Sequence, residues 1–138
     1  MANEGKALVR HFEGLRLVAY RDPVGILTIG YGSIHGVHKG MRITAPEAEA
    51  RLAVDWEIAM RATLRLCPRL EGRRLEAIAD FTFNLGASRL AASTLRRRLN
   101  RADWQGAADE LRKWVFAGGR KLPGLVARRE AERVLLLA

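Results

Sequence analysis

Apolar residues recur with two different periods along this chain, and the changes between them sketch a fold. Over residues 4–12, Leu8, Val9 and Phe12 share one side of a short helix, and Gly14 suits its C-terminal exit. The next two runs, LVAYR (17–21) and ILTIGY (26–31), are rich in β-branched and aromatic residues. They flank DPVG, which sets Asp22, Pro23 and Gly25 at positions i, i+1 and i+3 of a type I turn, so a hairpin is predicted. The glycine-rich stretch GYGSIHGVHKG (30–40) reads as irregular chain.

Helical spacing then takes over. Thr44-Ala-Pro-Glu47 fits a capping box, and Leu52, Trp56, Ala59, Met60 and Thr63 follow at helical intervals until Pro68 stops the helix. Beyond Pro68 the chain reads as helical throughout. Leu75, Ile78, Phe81 and Leu85 form one stripe. Ser93 caps TLRRRLN, and Asp103 caps a helix carrying Trp104, Ala107, Leu111 and a core Trp114. A last helix from about Gly124 is expected to turn Leu125, Val134 and Leu137 inward. The class is α+β, mostly α: one domain over 1–138, with a small hairpin-bearing N-terminal lobe (about 1–45), a connecting helix (about 46–66) and a helical C-terminal lobe (about 67–138). A cleft between two such lobes is a natural substrate site.

Composition narrows the class. With 49% hydrophobic and 28% charged residues over 138 positions, the chain can bury a core without staples. Its single cysteine, Cys67, forms no internal disulfide and reads as a packed residue rather than a nucleophile. No signal-like or membrane-spanning apolar run occurs, so action outside a cytoplasm needs another factor for release. The net charge of +9 is uneven. Residues 1–66 hold 9 basic and 7 acidic side chains, whereas residues 67–138 hold 15 and 8. Such a surface favours a polyanion: nucleic acid, anionic lipid or the bacterial wall.

Three residues carry candidate chemistry. Glu13 ends the first helix, where the negative end of the macrodipole and neighbouring Phe12, Leu15 and Leu17 disfavour its charged form, as a glycosidic acid requires. Asp22 opens the DPVG turn, and Thr28 lies on the returning strand. Singly, each has an ordinary explanation: a frayed helix end, a self-bonded turn, a strand threonine. Folding the hairpin back brings all three to one edge of a cleft. That set can protonate a leaving oxygen and activate a water on the opposite face of a sugar.

The spacing Glu13-x8-Asp22-x5-Thr28 within FEGLRLVAYRDPVGILTIGYG resembles the catalytic signature of the phage-type lysozymes, the endolysins of T-even and lambdoid phages. FTFNLGASRLAASTLRRRLN (81–100) and WVFAGGRKLPGLVARREAERVLLL (114–137) resemble that family's C-lobe segments in the same order. The resemblance implies a two-lobed lysozyme fold, no cofactor and no metal. It implies a muramidase that cleaves the β-1,4 bond between N-acetylmuramic acid and N-acetylglucosamine, with Glu13 as general acid and Asp22 and Thr28 positioning or activating the water. It places Ile34, Phe83, Thr94 and Glu110 along the cleft and an arginine, Arg128 or Arg129, beside Glu13. It further implies peptidoglycan as partner, a monomer, and residence in the host cytoplasm until a holin releases the enzyme to the periplasm and cell wall. One departure is Ser33, where many relatives carry a histidine, which puts an ion pair with the neighbouring lobe in doubt.

The rival readings are weaker. His35 and His38 make an H-x-x-H without a Cys or carboxylate at ligand spacing in the same loop, and a surface loop fits better than a metal site. The arginine run at 96–98 lacks a zinc, homeodomain or RNP pattern, so nucleic acid is not the expected partner. An anionic outer-membrane or lipid surface remains open to the basic C-lobe, as a membrane-disrupting alternative to enzymatic action. Transglycosylase action on the same bond is the other alternative.

Overall fold

The computed structural model of the protein describes residues 3–138. Helix α1 (Glu4–Glu13) leads into the hairpin β1 (Arg16–Arg21) and β2 (Leu27–Gly30). The long α2 (Ala45–Leu66) follows, then α3 (Gly72–Leu85), α4 (Ala87–Ala91), α5 (Thr94–Asn100) and α6 (Trp104–Leu111). A two-residue ribbon, β3 (Phe116–Ala117) with β4 (Arg120–Lys121), precedes α7 (Pro123–Leu137). The fold is α+β and mostly helical, with a small hairpin lobe and a larger helical lobe joined by α2.

The local signals act as read. Thr44 Oγ1 accepts from the Glu47 amide at 3.3 Å, and Glu47 Oε1 accepts from the Thr44 amide at 3.0 Å, closing the capping box that starts α2. Ser93 and Asp103 cap α5 and α6 through the amides of Arg96 and Gly106, each at 3.0 Å. At the turn, the Gly25 amide donates to Asp22 O, and Gly25 takes the φ of +89° that glycine permits. β1 pairs antiparallel with β2, with Tyr20 opposite Thr28 and an irregularity between Arg16 and Tyr20.

Three apolar clusters hold the molecule together. The largest joins Leu75, Ile78 and Phe81 of α3 to Leu95, Leu99, Ala107, Leu111 and Leu136. A second, Val9, Leu52, Trp56 and Ala79, locks α1 to α2 and α3. A third, Ile29, Ile43 and Ala48, seats the hairpin on the start of α2. Although first in sequence, α1 packs on α3 and α7. Gly5 makes this approach possible, since a Cβ there would stand 2.5 Å from the Trp56 ring and 2.9 Å from Glu76 O. The Gly5 amide donates to the buried Glu76 Oε1 at 2.8 Å, so α3 satisfies a free N–H at the start of α1.

Three expectations for the helical lobe need correction. It is not helical throughout, because Gly118 and Gly119, both at positive φ, turn the chain into the β3–β4 ribbon. Trp114 lies past the end of α6 and is half-buried, edge-on to Phe81 at 5.4 Å. In α7 the inward positions are Arg128, Arg129, Glu132, Leu135 and Leu136, whereas Val134 is 72% exposed, Leu137 is exposed and Leu125 is half-buried. A stripe drawn through leucines and valine alone missed that charged side chains occupy the inner face of this helix.

Candidate active site

Glu13 is the last residue of α1 and its side chain is 24% exposed. Arg128 of α7 donates from Nη1 to Glu13 Oε2 at 2.7 Å. The same guanidinium grips the fully buried Asp80 of α3, from Nε to Oδ2 at 2.9 Å and from Nη2 to Oδ1 at 2.8 Å. Glu13 and Asp80 thus share one cation. On the other side Gly32, at φ +81°, passes so close that a Cβ would lie 3.0 Å from Glu13 Oε1. A side chain at position 32 would press on the carboxyl.

The loop that carries Gly32 is tied down from two helices. Arg10 of α1 holds Glu49 of α2 at 2.7 Å, and the pair stands beside Tyr31 and draws the Glu49 carboxyl below its usual range. Arg51 Nη1 donates to Ser33 Oγ at 3.1 Å and to His35 O at 2.7 Å. The ion pair that Ser33 cannot make is partly replaced, because His35 Nε2 stands 3.6 Å from Asp55 Oδ1 on α2. Burial pushes the Asp55 carboxyl above its usual range, against the pull of His35, a bond to Ser33 and Arg51.

Asp22 sits where its turn fixes it. Its Oδ1 accepts from the amides of Val24 at 2.9 Å and Ile26 at 2.8 Å, while Oδ2 takes no protein donor among the described residues. The buried Thr28 donates its hydroxyl to Ile26 O at 2.9 Å, which leaves the oxygen's lone pairs to accept. Tyr20, cross-strand from Thr28, has its hydroxyl pKa raised, first by burial and then by the charges of Glu13 and Asp22.

A cavity of about 280 Å³ opens beside Gly32, between the loop and helices α2 and α3. Ile34 and Phe83 line it, together with Asp55, Ile58 and Ala59. Thr94 and Glu110 do not line it. Thr94 accepts from Arg97 Nη2, and Glu110 pairs with Lys113 at 2.6 Å. Of the two candidate arginines, Arg128 is the one beside Glu13. Arg129 turns away to Asn84 Oδ1 at 2.7 Å and to Glu132 Oε2 at 2.9 Å. His38 bonds its neighbour's carbonyl at the surface, and Cys67 is buried with its thiol pushed up to about 11 by desolvation. Asp80 and the Arg10–Glu49 pair beside Tyr31 were not anticipated. The sequence offers no signal for Asp80, which lies off the apolar stripe Leu75–Ile78–Phe81 on the side of α3 it shares with Glu76 and Asn84.

A carboxyl pinned at the end of a helix, next to a hairpin that carries a second carboxylate, is the arrangement found in the lysozyme class of glycosidase. The comparisons agree. The phage lysozyme family model matches residues 10–132, and the chain belongs to that family. It is 36% identical to an endolysin of Acyrthosiphon pisum secondary endosymbiont phage 1, covering 98% of this chain and 96% of the relative. It is 37% identical to the endolysin of Salmonella phage P22, covering 100% and 98%. Among solved structures, the muramidase domain of SpmX from Asticaccaulis excentricus superposes with a TM-score of 0.92 at 32% identity, over 99% of this chain and 97% of that one.

Proposed function

We propose that the protein is an endolysin that hydrolyses the β-1,4 bond between N-acetylmuramic acid and N-acetylglucosamine in bacterial peptidoglycan, with Glu13 as general acid. The observation that carries the assignment is the setting of Glu13. One carboxyl oxygen is fixed by Arg128 and the other lies against Gly32, which lines the neighbouring cavity although Glu13 itself does not. Such a carboxyl delivers its proton in one direction, to the oxygen of a bond lying across the cleft.

Asp22 and Thr28 hold the water. Asp22 Oδ1 is locked by two backbone amides, which leaves Oδ2 as the base. Thr28 can accept one hydrogen of the water while Asp22 takes the other. Attack from the face opposite the leaving group inverts the anomeric centre, and such a pair stands ~6.5–9.5 Å apart to make room for the water. Ile34 and Phe83 supply apolar contact for the sugar rings, and Thr94 and Glu110 act further along the strand. The whole chain works as one catalytic domain without metal or other cofactor. E13Q tests the assignment: the folded variant should lose nearly all turbidity clearing, since general acid catalysis alone contributes ~10²–10⁴. Near-normal clearing removes Glu13 from the mechanism, and anhydro-muramic products in mass spectra would reassign the reaction to transglycosylation.

A second, accessory reading has its own observation. Residues 87–102 carry five arginines and no acid, and Arg96, Arg97 and Arg101 surround one shallow concavity. This face suits an anionic outer-membrane or lipid surface. Vesicle leakage that persists in E13Q would support it. The proposal extends to action as a monomer and to release from the host cytoplasm through a holin, which sedimentation and lysis with and without a coexpressed holin would test.

A further inference from the structure

The basic face of the helical lobe is ordered more firmly than a run of surface arginines needs to be. Arg89, Arg96, Arg97, Arg98 and Arg101 fall within residues 87–102, where no acid occurs. Among the described residues only Arg98 has an acidic partner, Asp103 at 3.2 Å. Arg96, Arg97 and Arg101 surround a concavity of about 380 Å³, whose other walls are Ala91, Ala92, Ser93 and Asn100.

Arg96 is fixed by backbone. Its Nε donates to Leu66 O at 3.0 Å and its Nη1 to Ala91 O at 3.3 Å. Leu66 is the last residue of α2, so its carbonyl has no acceptor role inside that helix. Asn100 Nδ2 donates to the same oxygen, also at 3.0 Å. The Arg96 guanidinium is therefore held half-buried in the wall of the concavity, and its Nη2 meets no protein acceptor among the described residues. Arg97 is steadied at one nitrogen, from Nη2 to Thr94 Oγ1 at 2.9 Å, and both Arg97 and Arg101 are exposed. Groups held in place before a ligand arrives lose little freedom on binding it.

Three like charges around one concavity repel one another, and an anion between them relieves that repulsion. A carboxylate or a phosphate diester brings one charge. A phosphate monoester brings nearly two, with three strong acceptor oxygens, which suits three guanidinium groups better. We propose that Arg96, Arg97 and Arg101 form a binding site for a phosphate monoester on a lipid headgroup. The proposal rests on the accessory membrane reading above and sharpens it. That reading needs only positive charge, whereas this site needs guanidinium, because lysine keeps the charge but lacks the planar fork of N–H donors.

The site stands close to the cleft. Ala87, at the start of α4, lines the cavity beside Gly32, and Ala91, at its end, lines the arginine concavity. Four residues of helix separate the two, a rise of ~6 Å. A headgroup held by the arginines therefore sets the cleft beside the surface that bears it.

Two paired variants of the full chain separate the site from the basic face. R97Q/R101Q removes two charges and R97K/R101K keeps them, while Arg96 stays because it covers the end of α2. Binding is measured by sedimentation with phosphatidylcholine vesicles that carry phosphatidic acid, a monoester, or phosphatidylglycerol, a diester, at matched surface charge. Wild type should favour the phosphatidic acid vesicles, and inorganic phosphate should release it from them better than sodium chloride of equal ionic strength. R97K/R101K should lose about tenfold or more in affinity for those vesicles, close to the loss in R97Q/R101Q. If the lysine variant binds as wild type does and the glutamine variant does not, the face acts by charge alone; the site is overturned and the membrane reading stands. If the glutamine variant also binds as wild type does, both fall. Equal binding to the two vesicles, or release by phosphate no better than by chloride, overturns the site as well.

Discussion

Replacing Arg128 with alanine removes more than a contact to the acid. Its guanidinium is 4% exposed and makes three charge-assisted bonds of 2.7–2.9 Å, two to Asp80 and one to Glu13. The two ends of this bridge should respond differently. Glu13 is a quarter exposed, so water can compensate part of its loss. Asp80 has no access to water and would be left as an uncompensated buried charge. Breaking a buried pair in this way costs ~3–5 kcal/mol, whereas replacing both partners together can be nearly neutral. For a domain of this length each kcal/mol shifts Tm by ~3–4 °C, so R128A should melt about 10–20 °C below wild type. The double variant D80N/R128A should recover more than half of the loss relative to R128A, because Asp80 is no longer left as an uncompensated buried charge. Circular dichroism melts of wild type, both single variants and the double variant close the cycle. If R128A falls by less than about 1 kcal/mol, or if the double variant is additive, Asp80 does not depend on Arg128 and the bridge is not what holds α3, α7 and Glu13 in register.

The other expectations are independent of that cycle. The first sugar released should be the α anomer, seen by proton NMR before mutarotation; an initial β product or a glycosyl ester on Asp22 would make Asp22 a nucleophile. Half-buried Trp114, edge-on to Phe81, should cost about 3 kcal/mol on truncation to alanine, the low end for an aromatic lost from a core; an unchanged Tm would place it outside the packing. Asp55 binds its proton more tightly when folded, so the stability it lends is full at low pH and is lost as pH rises above about 4. D55N escapes that loss, and its melting temperature relative to wild type should climb between about pH 3 and about pH 6; a falling difference would mean that His35 and Arg51 outweigh burial there. Pelleting with purified walls should weaken once salt shortens the Debye length below ~10 Å, and salt-independent pelleting would exclude the basic face as a wall contact.

What could be read from the sequence, and what could not, divides along sequence distance. The capping box at Thr44, the Asp22 turn and the caps at Ser93 and Asp103 all depend on groups within four residues, and each formed as its local chemistry required. The motif from Glu13 to Thr28 is legible for the same reason, since one helix end and one hairpin contain it. The bridge behind Glu13 joins residues 115 and 48 positions apart. No periodicity argument reaches that far. The inner face of α7 misled because hydrophobic spacing treats arginine and glutamate as surface residues, yet Arg128, Arg129 and Glu132 are closed to water while Val134 is open to it. The interior position of these charges is tolerable only because Asp80 and Asn84 meet them from α3. Asp80, on the polar side of α3, and the doubled arginine on α7 each look like surface charge alone, and each accounts for the other's burial once the helices pack. Such pairing across the chain is visible only in the packed structure, and here it leads to Glu13, the proposed acid.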